Sequence, residues 1–396
     1  MRVTTLGTTQ ASFQGIEARQ SAQTRLQNQL GTGLRVNSPG DDPLGAAQAE
    51  LARSRLAHLA QDQRSAQLAT SVLSAADTAL ADGVGTLQSV REALVAAGNG
   101  GYNATDRQAL VVQLRAAREQ LVALANTRDG AGGHVFAGQG SAGAPLTAGA
   151  TPAWNAASGV QRLGDDMQFA ATLDGRAAFM AQPQGNGVFV TDSAAGNTGA
   201  GWINPGDVAD PTQLTGHNYS ITLAAGGGGL EYTVTDLTAG TTLAAGVPFV
   251  AGATITLDGQ RIRIAGTPAA GDSFSVGPAG KQSIFQTLDD AIATLSQPYN
   301  AAAYSQGLER AQVSLDGALD SLVLMRAGVG AELQRVDSAT ATHTQEDLHL
   351  QQRRSDLVDL DYAAAISDLQ NNQTALQAAM QAYASVARTS LFQMLG

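Results

Sequence analysis

The 396-residue sequence contains no cysteine. That excludes disulfides, thiolate metal sites and a cysteine nucleophile, and it is compatible with a place outside the cell without covalent staples. Lysine is nearly absent too. Lys281 is the only one, and 23 basic residues stand against 34 acidic ones for a net charge of −11. With no basic patch, the phosphate attraction behind nucleic-acid binding is missing, and no nucleic-acid partner is expected. Aromatic residues make up 5% of the chain and charged residues 14%, which argues against a bulky aromatic core and for long helices packed by leucine and alanine. No uninterrupted apolar run reaches the roughly 18 residues of a membrane-crossing helix, so no membrane partner is expected. The opening "MRVTTLGTTQASFQG" lacks the apolar stretch of a cleavable secretory signal, so any export is expected to use another route.

What the sequence does have is register. Leu59, Ala66, Leu73, Leu80, Leu87 and Leu94 stand seven apart, and Ala69, Ala76, Gly83 and Val90 fill the neighbouring seam. A seven-residue repeat kept this long predicts a coiled-coil-like helix from about Pro43 to Ala97, roughly 80 Å long at 1.5 Å per residue. "GNGGYN" stops it. "TDRQ", 105–108, has the form of a capping box and predicts a second helix, with Leu110, Leu114, Ala117, Leu121 and Leu124 on one face, ending near "RDGAGG". Between about 145 and 280 the periodicity shifts to two. "YSITLAA" and "LEYTVTDL" alternate around a "GGGG" run, and "ATITLDGQRIRIAG" places Asp258-Gly259 between alternating runs, a tight-hairpin signal. A small β domain is therefore expected as an insertion into a helical protein. Helix resumes at "QSIFQTLDDAIATL", and after Pro298 the longest row follows: Leu308, Leu315, Leu322, Val329, Val336, His343, Leu350 and Leu357.

The row then slips by two residues. Ile366, Gln373, Met380, Ala387 and Met394 form a new one, with Leu369, Leu376 and Tyr383 beside it, so a joint is expected near "DLDYAA", 359–364. The N-terminal segment mirrors this arrangement. Leu6, Phe13, Ile16, Leu26, Leu30 and Leu34 form a stripe, "VNSPGDDPLGAA" interrupts it, and the long register starts afresh. Both ends thus read as short helix, joint, long helix. The fold class expected is mainly α with an inserted β domain: a long antiparallel helical rod with paired terminal helices. The divisions are 1–40 with 360–396 (terminal assembly domain), 41–144 with 281–359 (rod) and 145–280 (β insertion). The terminal stripes are thin and rich in glutamine, too poor in apolar burial to repay the ordering of isolated helices. Residues 1–35 and 364–396 are therefore expected to be mobile in the monomer and to fold on assembly. The assembly interface is assigned to Leu6, Phe13, Ile16, Leu30, Leu34, Ile366, Leu369, Gln373, Leu376, Met380, Tyr383, Leu391 and Phe392. The joint is assigned to Pro39, Asp41, Asp42, Pro43, Asp359 and Asp361.

Chemical sites are weaker. "GQGSAG", 138–143, fits a dinucleotide-binding glycine pattern, but "APLTAGATP" follows and cannot start the required helix. His343 and His349 are six apart and lie on different helix faces. Asp42-Pro43 reads as a helix start, a capping oxygen followed by proline at the first helical position. Asp289-Asp290 reads as a polar helix face, and Asp165-Asp166 has no assigned role. No catalytic, cofactor-binding or metal residue is assigned, and no cofactor is expected.

At this point the residues carry a likeness. "LGTGLRVNSPGDDPLGAA" resembles the N-terminal signature of the flagellin superfamily, and its Asp-Asp-Pro step is similar to the type 3 hook-associated (hook–filament junction) family. "DLDYAAAISDLQNNQTALQAAMQAYASVARTSLFQML" resembles that family's C-terminal signature, and "GHVFAGQGSAGAPL" and "GDSFSVGPAGKQSIFQTLDDAI" its internal motifs. Gly31 and Gly40 depart from the serine common at those positions, and residues 150–265 match poorly. The resemblance implies a non-enzymatic structural adaptor in the bacterial flagellum, exported through the type III apparatus without a cleaved signal. It implies neighbouring copies, a proximal hook-associated protein, flagellin and an export chaperone as partners. Terminal helices would form an inner tube, long helices an outer tube, and the β domain the exterior. Flagellin itself is one alternative; a carbohydrate-binding or hydrolytic insertion is another.

Overall fold

The computed structural model describes the chain except for residues 1–4, 100–101, 131, 141–142, 148, 150–151, 161, 164–167 and 396. The helices are α1 (Thr5–Thr32), α2 (Pro43–Ala97), α3 (Ala104–Ala125), α4 (Arg176–Met180), α5 (Ile284–Ser296), α6 (Ala301–Val358) and α7 (Tyr362–Leu395). Two compact units result: residues 1–64 with 339–396, and residues 65–338.

In the second unit the seven-residue rows become the core. Leu73, Leu80 and Leu87 on α2 and Leu315, Leu322 and Val336 on α6 are fully buried, each side chain contributing about 1.5–3 kcal/mol over leaving it in water. A Cβ on Gly83 of α2 would lie 3.2 Å from Leu322 and 3.7 Å from Leu121, so α2, α3 and α6 converge there, and a small residue is what admits the leucines. Arg91–Asp316 and Arg326–Asp77, each 2.7 Å apart, mark α2 and α6 as antiparallel. Being exposed, these pairs report register more than they stabilise. Helix α3 begins two residues earlier in its cap than expected. Asn103, not Thr105, is the N-cap: its side chain accepts from the Thr105 and Asp106 N–H groups, and Asp106 accepts from the Asn103 N–H. Asparagine outranks threonine at that position, so of two overlapping capping patterns the stronger is used. Helix α3 ends at Ala125, close to "RDGAGG" as expected. Arg118 on α3 pairs with Asp289 on α5 at 2.7 Å, and Ser283 caps α5.

The inserted strands are β1 (Leu146–Thr147), β2 (Ala153–Trp154), β3 (Arg162–Leu163), β4 (Phe169–Ala170), β5 (Gln182–Pro183), β6 (Phe189–Ser193), β7 (Ala200–Ile203), β8 (Asp207–Val208), β9 (Tyr219–Gly226), β10 (Gly229–Asp236), β11 (Thr241–Pro248), β12 (Thr254–Leu257), β13 (Gln260–Thr267), β14 (Ser273–Pro278) and β15 (Lys281–Gln282). A five-stranded sheet runs β11-β10-β9-β14-β6 and a second runs β12-β13-β7, with β8 beside β13. Alternate residues of both, among them Phe189, Ile221, Val234, Ile262, Ile264 and Phe274, share one core. The Asp258-Gly259 hairpin forms as its sequence requires: both residues have positive φ, 40° and 78°, and Leu257 faces Gln260.

Of the glycine pattern at 138–143, the described residues 138–140 and 143 lie in turn or irregular backbone. Gly138 has φ +60°, a Cβ there would meet the Ala157 carbonyl oxygen, and β1 rather than a helix follows. His343 is buried in its seam. Asp165 and Asp166 lie outside the described residues.

Candidate assembly site

The first unit holds the residues assigned to assembly. Helix α1 stops where its sequence runs out of side chains suited to continue: Gly33 takes φ +74° and its N–H donates to the Gln29 carbonyl at 2.8 Å, a left-handed C-terminal cap. The chain then crosses the return strand. Leu34 bridges Asp359 in antiparallel fashion, with the Arg35 N–H donating to the Val358 carbonyl (2.7 Å) and the Leu360 N–H to the Gly33 carbonyl (3.0 Å). Arg35 Nη2 also reaches the Leu357 carbonyl at 2.5 Å, satisfying one of the orphan carbonyls at the end of α6. The two interruptions in the sequence, 322 residues apart for that contact, are thus one structural feature.

Aspartates organise both sides of it. Asp41 Oδ2 accepts from the Ser38 N–H (2.9 Å), the Ser38 hydroxyl (3.1 Å) and the Asn37 N–H (3.2 Å), closing the turn that contains Pro39. Asp42 Oδ1 accepts from the Gly45 N–H at 2.9 Å, capping α2, with Pro43 as its first residue. Asp361 Oδ1 does the same for α7, accepting from Ala363 (3.0 Å) and Ala364 (3.1 Å), while Asp359 accepts from the Ser355 hydroxyl at 2.6 Å. The Ser38 backbone and hydroxyl donors hold the Asp41 carboxyl below the usual carboxylate range. The Gly45 N–H, and then the guanidinium of Arg35, do so for Asp42. Each of these carboxylates accepts from backbone, hydroxyl or guanidinium donors, which is the geometry of a stapled joint rather than of an acid–base pair. Gly33, Arg35, Asn37 and Ser38 were not singled out from sequence; only Gly33, in "TGL" at the end of a periodic run, carried a readable signal.

Beyond the joint, α1 and α7 pack along each other, and Asn372 Nδ2 donates to the Arg19 carbonyl at 2.8 Å. The structure divides the assigned interface residues into two faces. Ile16, Leu30 and Leu34 of the N-terminal segment and Leu369, Leu376 and Tyr383 of α7 are half-buried or buried, Leu376 most of all at 9% exposure. On α7 the sheltered positions are 365, 369, 372, 375, 376, 379 and 383, and apart from 375 they follow the alternating four-and-three spacing of a coiled-coil seam. Ile366, Gln373 and Met380 face away from it, with Ile366 47% and Met380 45% exposed, as is Phe13 on α1 at 53%. The side chains of Leu6, Leu391 and Phe392 lie outside the described residues, although all three positions fall within α1 or α7. Among the described residues no group of three or more His, Asp or Glu side chains is placed to hold a metal, and no helix is long and apolar enough to cross a membrane.

Paired terminal helices that keep some apolar side chains exposed, and long helices with a β domain inserted between them, define a discontinuous helical subunit. Residues 3–141 match the bacterial flagellin N-terminal helical region, residues 313–395 the bacterial flagellin C-terminal helical region, and residues 192–278 the D2-like domain of flagellar hook-associated protein 1. The chain is 25% identical to flagellar hook-associated protein 3 of Escherichia coli (strain K12), over 100% of this chain and 99% of that one. The crystal structure of the flagellar junction protein FlgL from Legionella pneumophila superposes with a TM-score of 0.70 at 27% identity, covering 79% of this chain and 100% of the other. Flagellin of Bacillus subtilis (strain 168) is 32% identical over 28% of this chain and 37% of its own length. The chain is thus similar over its whole length to flagellar hook-associated protein 3, and both of its helical ends are of the flagellin type.

Proposed function

We propose that the chain is a structural adaptor that joins the flagellar hook, through another hook-associated protein, to the flagellin filament. The observation that carries this reading is the extent of likeness. Similarity to hook-associated protein 3 runs the whole length of the chain, whereas similarity to the flagellin of Bacillus subtilis covers 28% of it. A bulk filament subunit is therefore the weaker reading. The adaptor acts by packing and not by catalysis. Terminal residues 1–40 with 360–396 form the assembly domain, 41–144 with 281–359 the rod, and 145–280 the outward insertion. Its partners are neighbouring copies, the proximal hook-associated protein and flagellin, with an export chaperone beforehand and passage through the type III apparatus to the cell exterior.

Two faces on one helix support a division of labour. The seam of Leu369, Leu376 and Tyr383 is used within the chain, and the row of Ile366, Gln373 and Met380 is left for other subunits. Few described side chains in the α1–α7 pair are buried, Ala365 and Leu376 among them, so the pair alone repays little of its ordering cost and completes its folding on assembly. Immunogold labelling of intact flagella tests the position: a single band at the distal end of the hook is expected, and label along the whole filament overturns the reading. Met380→Asp tests the outward face. It is expected to leave the folded unit of residues 65–338 unchanged while blocking incorporation at the junction, with unpolymerised flagellin secreted into the medium.

A further inference from the structure

In the first unit, the turn of the joint and the helices it connects border a groove of about 750 Å³. Leu34, Val36, Pro39 and Pro43 of the joint, Ala46 of α2 and Val358 of α6 give it an apolar floor. Most of its polar groups are already committed. The Asn37 and Ser38 N–H groups donate to Asp41, Asp359 accepts from the Ser355 hydroxyl, and Glu50 pairs with Arg53 at 2.7 Å. Arg354 is the exception. It is exposed at the rim, and no described residue forms an ion pair or hydrogen bond with its guanidinium. The groove therefore offers apolar surface and one unspent cation. An amphipathic helix with a carboxylate beside its apolar anchor matches both.

The terminal helices hold one face of that kind. Among the described residues their exposed large apolar side chains are Phe13 on α1 and Tyr362, Ile366 and Met380 on α7. Positions three and four apart share a helix face. No acidic residue stands at that spacing from Ile366 or Met380, and Asp359 and Asp361 beside Tyr362 are used in the joint. Phe13 has Glu17 four residues on, the only acidic residue of α1, exposed and without a described partner. Phe13 cannot reach the groove of its own chain, because it lies about 30 Å along α1 from Gly33 at 1.5 Å per residue. A copy displaced by about that distance along the helix axis brings its Phe13 there. Groove and anchor are different patches, so each copy gives its α1 to the next and receives one, a contact that propagates around a ring or along a helix of copies. We propose that the joint groove is the socket for α1 of a neighbouring copy, with Phe13 on its apolar floor and Glu17 against Arg354. The proposal rests on the adaptor reading and adds which surfaces of two copies meet.

Charge reversal in full-length chains that replace the parent chain in cells tests the pairing. Glu17→Arg and Arg354→Glu are each expected to raise the flagellin lost to the medium at least about tenfold. The double variant reunites opposite charges and is expected to return that loss to near the parent level. Amide exchange of α1 and α7 in the free chains is expected to match the parent, since neither side chain has a described partner within the chain. Cross-linking reads the same contact with the anchor intact. Gln10→Cys and Ala47→Cys, both exposed positions, are combined in a chain that has no cysteine of its own. A short bismaleimide is expected to join copies into a covalent ladder in isolated flagella and to leave the secreted, unassembled chain monomeric. Single reversals that assemble normally overturn the proposal. So does a defect that the double variant fails to relieve, which assigns the groove to a different partner. A band of label at the hook end without a ladder refutes the socket and spares the adaptor reading; a ladder in a chain that labels the whole filament refutes the adaptor reading and keeps the socket.

Discussion

Two glycines two residues apart, Gly31 and Gly33, are predicted to respond to the same substitution with opposite signs. Gly33 sits at φ +74°, and a Cβ there would stand 2.7 Å from the Tyr362 hydroxyl oxygen. Tyr362 is 53% exposed and its hydroxyl can swing away, so the contact is relieved at small cost. The backbone term is not relieved, and a left-handed conformation in a residue with a Cβ costs about 1–2 kcal/mol. Gly31 lies inside α1 with nothing within 4 Å of an added Cβ. Alanine there removes the entropic penalty of a helical glycine, a gain of about 0.5–1 kcal/mol. Gly33→Ala and Gly31→Ala should therefore differ by about 2 kcal/mol in the opening equilibrium of the terminal helix pair, close to thirtyfold. Amide hydrogen exchange of the peptides covering α1 and α7 in the full chain reads that equilibrium, with peptides from residues 65–338 as an internal reference. The reasoning fails if Gly33→Ala protects α1 as well as the parent residue does, or if Gly31→Ala lowers protection.

Other outcomes follow from the same geometry. Asp361→Ala removes the oxygen that caps α7 and should cost about 1 kcal/mol of terminal-pair stability, read by the same exchange measurement, with Asp361→Asn recovering most of it. Asp41 and Asp42 have folded-state pKa values lowered by their N–H, hydroxyl and guanidinium partners. Their stabilisation is therefore present above the ordinary carboxylate pKa of about 4 and is lost as pH falls through the lowered folded values. Acid titration of α1–α7 helicity should lose part of its transition in the Asp41→Asn, Asp42→Asn double variant; an unchanged acid limb would falsify that assignment. In the rod, Leu315→Ala (0% exposed) should lower stability by about 2–5 kcal/mol, while Leu324→Ala (75% exposed) should change it by less than about 0.5 kcal/mol in chemical denaturation.

Much of this architecture was legible before any coordinates. The rows from Leu59 to Leu94 and from Leu308 to Val336 proved to be core because apolar side chains seven residues apart return to one face of a helix, whatever lies opposite. The change to a period of two marked the insertion, and Asp258-Gly259 marked its hairpin, because few dipeptides accept two consecutive positive φ values. The α3 cap was misplaced by two residues, since Asn103 and Thr105, two positions apart, both offer capping oxygens and only the energetic preference between them decides.

The assembly site was legible as a set of residues and illegible as a surface. Apolar periodicity on α7 yields two neighbouring rows, Ile366–Gln373–Met380 and Leu369–Leu376–Tyr383, with nothing local to rank them. The position of α1 ranks them, and that position is set by contacts between residues more than 300 apart: Asn372 with Arg19, Arg35 with Leu357. Local chemistry therefore determined where each helix begins, where it breaks and which residues can cap the break. Only the tertiary structure decided that the two breaks form one stapled joint, and which terminal row is already paired and which still faces outward, because periodicity records a side chain's direction from its own helix axis and carries no information about what stands there.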